Sequence, residues 1–247
     1  MALTNGDIYK FILFAANKSS IGGYIRPTDY NNQLKINSSV LLREVLGITN
    51  DWGLGQPISQ KQKGYSTLLD DKTKPFKKRA TLSFSGGVSA LPSDYYTYDS
   101  IRVDGALEGV EVLFGGEVAR RLSSYIDVPD TEYPVGEFVG DTFEIYPSTI
   151  LSAKLIYYRN PITPVFDYYI DANGVINYLD EGATYILQTD EVGSAGQTSG
   201  TVTSSSVEME WRDQEKMDIA WMICRNFGIN IQRQDLTTYA LQIKGSE

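Results

Sequence analysis

Two periodicities divide the chain. At the start, Ile8, Phe11, Ile12 and Ala15 recur at helical spacing, and Thr4 with Asp7 has the spacing of a capping box. Gly22-Gly23 closes that element. A second helix is predicted from Arg26-Pro27-Thr28-Asp29 with Thr28 as its N-cap. Its apolar stripe is Tyr30, Leu34, Leu41, Leu42 and Val45, and Gly47 stands where a C′ glycine belongs. From about Asp51 to Asp190 the period shortens towards two, and Gly, Pro, Tyr, Thr and Val become frequent. The pattern predicts strands at Ala80–Phe84, Ser100–Val103, Gly109–Phe114, Thr142–Tyr146, Lys154–Arg159, Val165–Ile170, Val175–Tyr178 and Tyr185–Leu187, with a short helix at Glu117–Tyr125. Asp171-Ala172-Asn173-Gly174 reads as a hairpin turn, because Asn-Gly readily takes the positive φ that tight turns require. Val192–Ser206 is nearly all small and polar, which predicts a mobile linker. Helical spacing then returns. Met217, Ala220, Trp221, Cys224 and Phe227 share a face, Gly228-Ile229 reads as a stop, and a last helix is predicted at about Gln234–Ile243.

Helices at both ends, each with an apolar face to cover, predict an α+β fold: a terminal helix bundle in which N- and C-terminal helices pack together, with a β-rich middle insertion. The expected divisions are an N-terminal helix pair over 1–50, a β-rich domain over 51–190 with a basic arm at 56–80, a flexible Ser/Gly/Thr linker over 191–206, and C-terminal helices over 207–247 packing on the N-terminal pair.

Composition narrows the chemistry. With 247 residues, 42% of them apolar, the chain can bury a substantial core. It has no apolar run of the roughly 18 residues that a membrane span needs. The opening MALTNGDIYK lacks the basic and apolar regions of a secretory signal. Histidine is absent and Cys224 is the one cysteine. Ser-His-Asp and Cys-His catalysis, the usual zinc and iron–sulfur ligand sets, and an internal disulfide are thereby excluded. Cys224 lies in a helical apolar stripe, where a buried structural thiol is expected.

No phosphate-binding loop is present, since Gly86-Gly87 and Gly115-Gly116 lack the register of a dinucleotide fingerprint. A calcium loop beginning at Asp171 fails at its sixth and twelfth positions, which are Ile176 and Gly182. Carboxylate pairs for glycoside hydrolysis could come from Asp94, Asp99, Glu108, Asp141, Glu144, Asp167 or Asp180, but no spacing singles one pair out. No cofactor or metal is expected.

The net charge of −9 disfavours general nucleic-acid binding. Against it stands a basic run, Lys61, Lys63, Lys72, Lys74, Lys77, Lys78 and Arg79, readable as a solvated arm or as one that docks on an acidic neighbour. Tyr95, Tyr96 and Tyr98 form the densest part of a tyrosine-rich chain. Such residues suit a core, a protein interface or a sugar platform. The basic run and this tyrosine strip are the candidate subunit interface.

Four segments carry a resemblance. They are DIYKFILFAANKSSIGGYIRPTDYNNQL (Asp7–Leu34), ALPSDYYTYDSI (Ala90–Ile101), FEIYPSTILSAKLIYYRNPITP (Phe143–Pro164) and MDIAWMICRNFGINIQRQDL (Met217–Leu236). Together they resemble structural ring proteins of the head-to-tail connector in crAss-like tailed bacteriophages. The resemblance implies a non-enzymatic virion component at the portal vertex or tail, made in the bacterial host cytoplasm. Its implied partners are its own copies in a closed ring, expected to be twelve-fold, together with the portal protein and neighbouring connector or tail proteins. Genomic DNA would pass only as cargo, and no membrane would be involved. The alternative is a carbohydrate- or receptor-binding module of the tail, which would need tyrosines converging on a concave site.

Overall fold

The computed structural model describes residues 3–15, 25–46, 71–126 and 128–230, and its fold is mixed α and β. Helix α1 (Asn5–Ala15) starts as its capping signal requires: Thr4 N donates to Asp7 Oδ2 at 3.1 Å, and Asp7 N donates to Thr4 Oγ1 at 3.1 Å. Helix α2 (Pro27–Val45) has Arg26, in extended conformation, as N-cap and Pro27 at the first turn. Thr28, expected as the cap, is therefore already inside the helix. Proline sets φ for a first turn and has no N–H to leave unsatisfied, so the helix begins two residues earlier. The expected stops at Gly22-Gly23 and Gly47 lie outside the described residues.

After a helical turn at 71–73 and a 3-10 turn at Lys74–Phe76, the chain enters strand β1 (Lys77–Ser83). There follow β2 (Val88–Ala90), β3 (Tyr95–Arg102), β4 (Glu111–Val112), helix α3 (Glu117–Leu122), β5 (Val135–Val139), β6 (Thr142–Tyr146) and β7 (Ser152–Arg159). They make two sheets, β1-β7-β3 and β2-β6-β5-β4, antiparallel except where β4 runs parallel to β5. Strand period does the sorting. Leu82, Ile101, Ala153 and Leu155 from one sheet meet Phe143 and Ile145 from the other in one core, while their strand neighbours point away. The unit Phe76–Asn160 opens just before β1, whose first residue Lys77 pairs with Tyr158 near the unit's close, so it leaves and rejoins the chain on neighbouring strands.

The second unit is Met1–Pro75 with Pro161–Glu247. Its strands are β8 (Tyr168–Ile170), β9 (Ile176–Tyr178), β10 (Thr184–Leu187), β11 (Val192–Gly193) and β12 (Gly200–Thr203), paired as β11-β8-β9 and β10-β12. Asp171–Gly174 is a hairpin turn. Asp171 Oδ1 accepts from Asn173 N and Val175 N, each at 2.9 Å, and Gly174 takes φ +77. Helix α4 (Asp213–Asn230) continues through Gly228, where a stop was expected. The helix predicted at Gln234–Ile243 lies outside the described residues. Contacts from the α4 region reach the first two helices: Phe11 meets Trp221 edge-on at 5.1 Å, Trp211 Nε1 donates to Ser38 Oγ at 2.9 Å, and Asn226 Nδ2 donates to Gln33 Oε1 at 2.8 Å.

Two expected divisions change. The first β-rich unit closes at Asn160 rather than at 190, because β8 to β10 fall in the same unit as the terminal helices. Phe166 is the reason: its ring contacts Tyr9 at 4.8 Å, Tyr30 at 5.2 Å, Tyr178 at 5.1 Å and Tyr168 at 6.0 Å, joining α1, α2, β8 and β9. The expected linker at 191–206 is ordered structure holding β11 and β12. Its serines are ligands of a buried carboxylate, for Ser194 Oγ, Ser205 N (2.7 Å) and Ser205 Oγ (2.9 Å) all donate to Asp167. A serine run that serves an internal acceptor has the same composition as one that faces water.

Candidate subunit interface

Lys77, Lys78 and Arg79 open β1 and are therefore part of a sheet, not a free arm. Strand alternation aims them differently. Lys77 lies 3.3 Å from Asp99 and over the Tyr158 ring, while Lys78 is 2.7 Å from Asp94. Arg79 is exposed and has no ion pair among the described residues. Lys72 approaches Glu215 at 3.7 Å, in the other unit, and Lys74 is exposed. Lys61 and Lys63 lie outside the described residues. The lysine run is thus divided between the two units, and two of its members on β1 are neutralised locally.

Tyr95 and Tyr98 turn inwards. Tyr95 lies 5.7 Å from Phe138 and 5.9 Å from Tyr157, and Tyr98 lies 5.0 Å from Phe138, so both rings line the core. Residues three apart share a face here because the register of β3 on β7 shifts between Tyr95 and Thr97 and again between Tyr98 and Ser100. Tyr96 is half-buried. The expected strip is in this way divided, with two of its rings in the core of their own unit. Burial pushes the Tyr95 hydroxyl up to about 12. It also pushes Tyr157 up to about 12, helped by the bond from its hydroxyl to Asp94 Oδ1 at 2.8 Å. In the other unit Tyr169 and Tyr185 stack on each other at 4.1 Å, which occupies one face of each ring.

What sequence reading missed is the connection between β3 and β5. Leu107, Phe114, Leu122, Tyr125, Ile126, Val128 and Tyr133 are all exposed there, Tyr125 and Ile126 completely. Scattered exposed apolar residues are ordinary, whereas seven large ones within one connection are unusual. The signal was present in the sequence as large apolar residues without a period among Asp, Glu, Ser and Pro.

The two sheets of this unit also differ in charge. Strands β1, β7 and β3 hold Lys77, Lys78, Arg79, Lys154, Arg159 and Arg102 against one acid, Asp99. Strands β2, β6, β5 and β4 hold Glu111, Glu137 and Glu144 and no base. Some carboxyls are held by local donors. Asp94, bonded by Lys78, is held below the ordinary carboxylate range, and so is Asp7, bonded by Thr4. Among the described residues no cluster of three acidic, cysteine or histidine side chains is placed to hold a metal ion. No described helix is long and apolar enough to cross a membrane. No protein-family model matches the chain, and no curated protein matches it.

Proposed function

We propose that this chain is a non-enzymatic structural subunit of a phage virion, one of several copies that close into a ring of the head-to-tail connector or upper tail around the DNA channel. The terminal helices act as its bundle, and the unit Phe76–Asn160 is the β-rich insertion carried between them. One observation carries the reading: the connection from Leu107 to Tyr133 exposes seven large apolar side chains that a freely diffusing monomer has no use for. Neighbouring copies or connector proteins would cover them.

Quantitative mass spectrometry on purified particles, calibrated against the portal protein, tests this reading. A fixed ratio of one copy per portal subunit, or a simple multiple, is expected. Absence from the particles would overturn it.

A further inference from the structure

We infer that the two sheets of the Phe76–Asn160 unit are the two halves of one head-to-tail contact between copies of this chain. The basic outer face of β1-β7-β3 in one copy docks on the acidic outer face of β2-β6-β5-β4 in the next. The inference deepens the ring-subunit reading and rests on it for the closure of the contact into a ring.

The outward faces follow from strand alternation. On β1, Leu82 is buried and Ala80 packs on the core, so Lys77, Arg79 and Thr81 point away from it. Register sets Arg79 opposite Ile156, and Thr81 and Arg102 on either side of Lys154. Lys77 is held by Asp99, and Lys154 by Asp104 at 2.7 Å. Arg79 and Arg102 are both exposed and have no ion pair among the described residues.

The other sheet shows the converse. Phe143 and Ile145 are buried, so Glu144 faces outwards, and Glu137 lies directly opposite it on β5. Like charges in opposed positions destabilise a sheet unless something lies between them. Among the described residues Glu144 accepts the Tyr146 hydroxyl, at 3.1 Å, and no cation, and Glu137 has no partner. Val88, which pairs with Glu144, and Val139 are exposed beside them and offer apolar area.

Among the described residues each sheet therefore carries two charges without an ion pair, basic on one sheet and acidic on the other. The inner faces of the sheets meet in one core, so the outer faces look away from each other and these charges cannot neutralise one another within the unit. A second copy brings the missing sign to each face. Because the two patches differ, the contact is heterologous, the type that generates rings when its rotation closes. Opposite potentials also steer encounter and reject the like-to-like approach.

The test is sedimentation velocity of the full chain at low and high salt, over a wide concentration range. Wild type is expected to associate, less so in high salt. Arg79→Glu with Arg102→Glu makes both faces acidic, and Glu137→Lys with Glu144→Lys makes both basic. Each double variant alone should associate more weakly by roughly a hundredfold or more, while their equimolar mixture regains association by alternating the two. Circular dichroism and urea unfolding establish that each variant is folded. As a milder pair, Glu137→Gln with Glu144→Gln should raise the unfolding midpoint and weaken association together, which a merely structural role would not do. Four results would overturn the inference: wild type monomeric throughout, both charge-reversed variants associating like wild type, a mixture of folded variants that stays monomeric, or duplex DNA retained by wild type and lost in the arginine variant with sedimentation unchanged. The ring-subunit reading fails separately. Charge-dependent association by a chain missing from particles would sink that reading alone, whereas a fixed ratio in particles with unaffected variants would sink this contact alone.

Discussion

Asn31 shows how much one side chain settles. Its Oδ1 accepts from Phe166 N at 2.7 Å and its Nδ2 donates to Phe166 O at 3.0 Å, so an α2 amide satisfies both backbone groups of the residue whose ring joins the helices to the strands. Asn31→Ala leaves that donor and acceptor unpaired and should cost about 2–4 kcal/mol in urea unfolding. Phe166→Ala should cost about 3–5 kcal/mol in the same measurement, because four aromatic rings lose their common neighbour. Asp167, next in the chain, supplies the acid dependence. Burial pushes its carboxyl up, but bonds from Ser194, Ser205 and the Tyr168 amide outweigh that and hold it below its ordinary 3.8. A folded value below the unfolded one means the stabilisation is present above pH 3.8 and is lost as pH falls through the folded value. Asp167→Asn should therefore be less stable at neutral pH and show a flatter acid limb in thermal melts. Neither Asn31 nor Asp167 was legible as a structural pin. Their partners stand far along the chain, at 166 and at 194 and 205, and a sequence pattern reports neighbours only.

Elements were legible where a local signal coincided with burial. The Thr4–Asp7 cap, the Asn-Gly hairpin and the cores of β6 and β7 follow from capping, turn and alternation rules acting within a few residues. Misreadings fall where tertiary packing overrides such a signal, as in α4 continuing through Gly228 or the bulges that turn Tyr95 and Tyr98 to one face. Gly136 on β5 is a further element-scale constraint. A Cβ there would stand 2.3 Å from Cζ of Phe143, which is fully buried, and 2.7 Å from the Glu144 carbonyl oxygen. Gly136→Ala should cost about 1–3 kcal/mol, since the neighbouring ring has nowhere to move. A midpoint in chemical denaturation equal to wild type would show that the pairing of β5 with β6 can open to admit the methyl group.

At the scale of the whole molecule, the unit Phe76–Asn160 has both sheets, one core and adjoining ends. Expressed alone, 76–160 should fold, with dispersed amide resonances and a cooperative melt, whereas a collapsed spectrum would show that it needs the rest of the chain. Tyr157, raised to about 12 by burial and by Asp94, has a folded value above its ordinary 10.0. Its contribution is fully present below pH 10.0 and is lost as pH rises towards about 12. The excised unit should accordingly lose stability across that window, and Tyr157→Phe should reduce the loss.

Read alone, the chain determines a mixed α and β fold, helices near both ends, the turns and strands between them, and the exclusion of histidine and disulfide chemistry. These depend on composition and on periods of a few residues. Tertiary structure alone decides that the β-rich unit closes at Asn160, that a serine run serves a buried carboxylate, that tyrosines of the candidate interface line a core, and that arginines and glutamates without an ion pair among the described residues stand on opposite sheets. The physical reason is common to all four. Burial and charge pairing depend on partners brought together by folding, often from far along the chain, and the composition of a segment is the same whether those partners arrive or not.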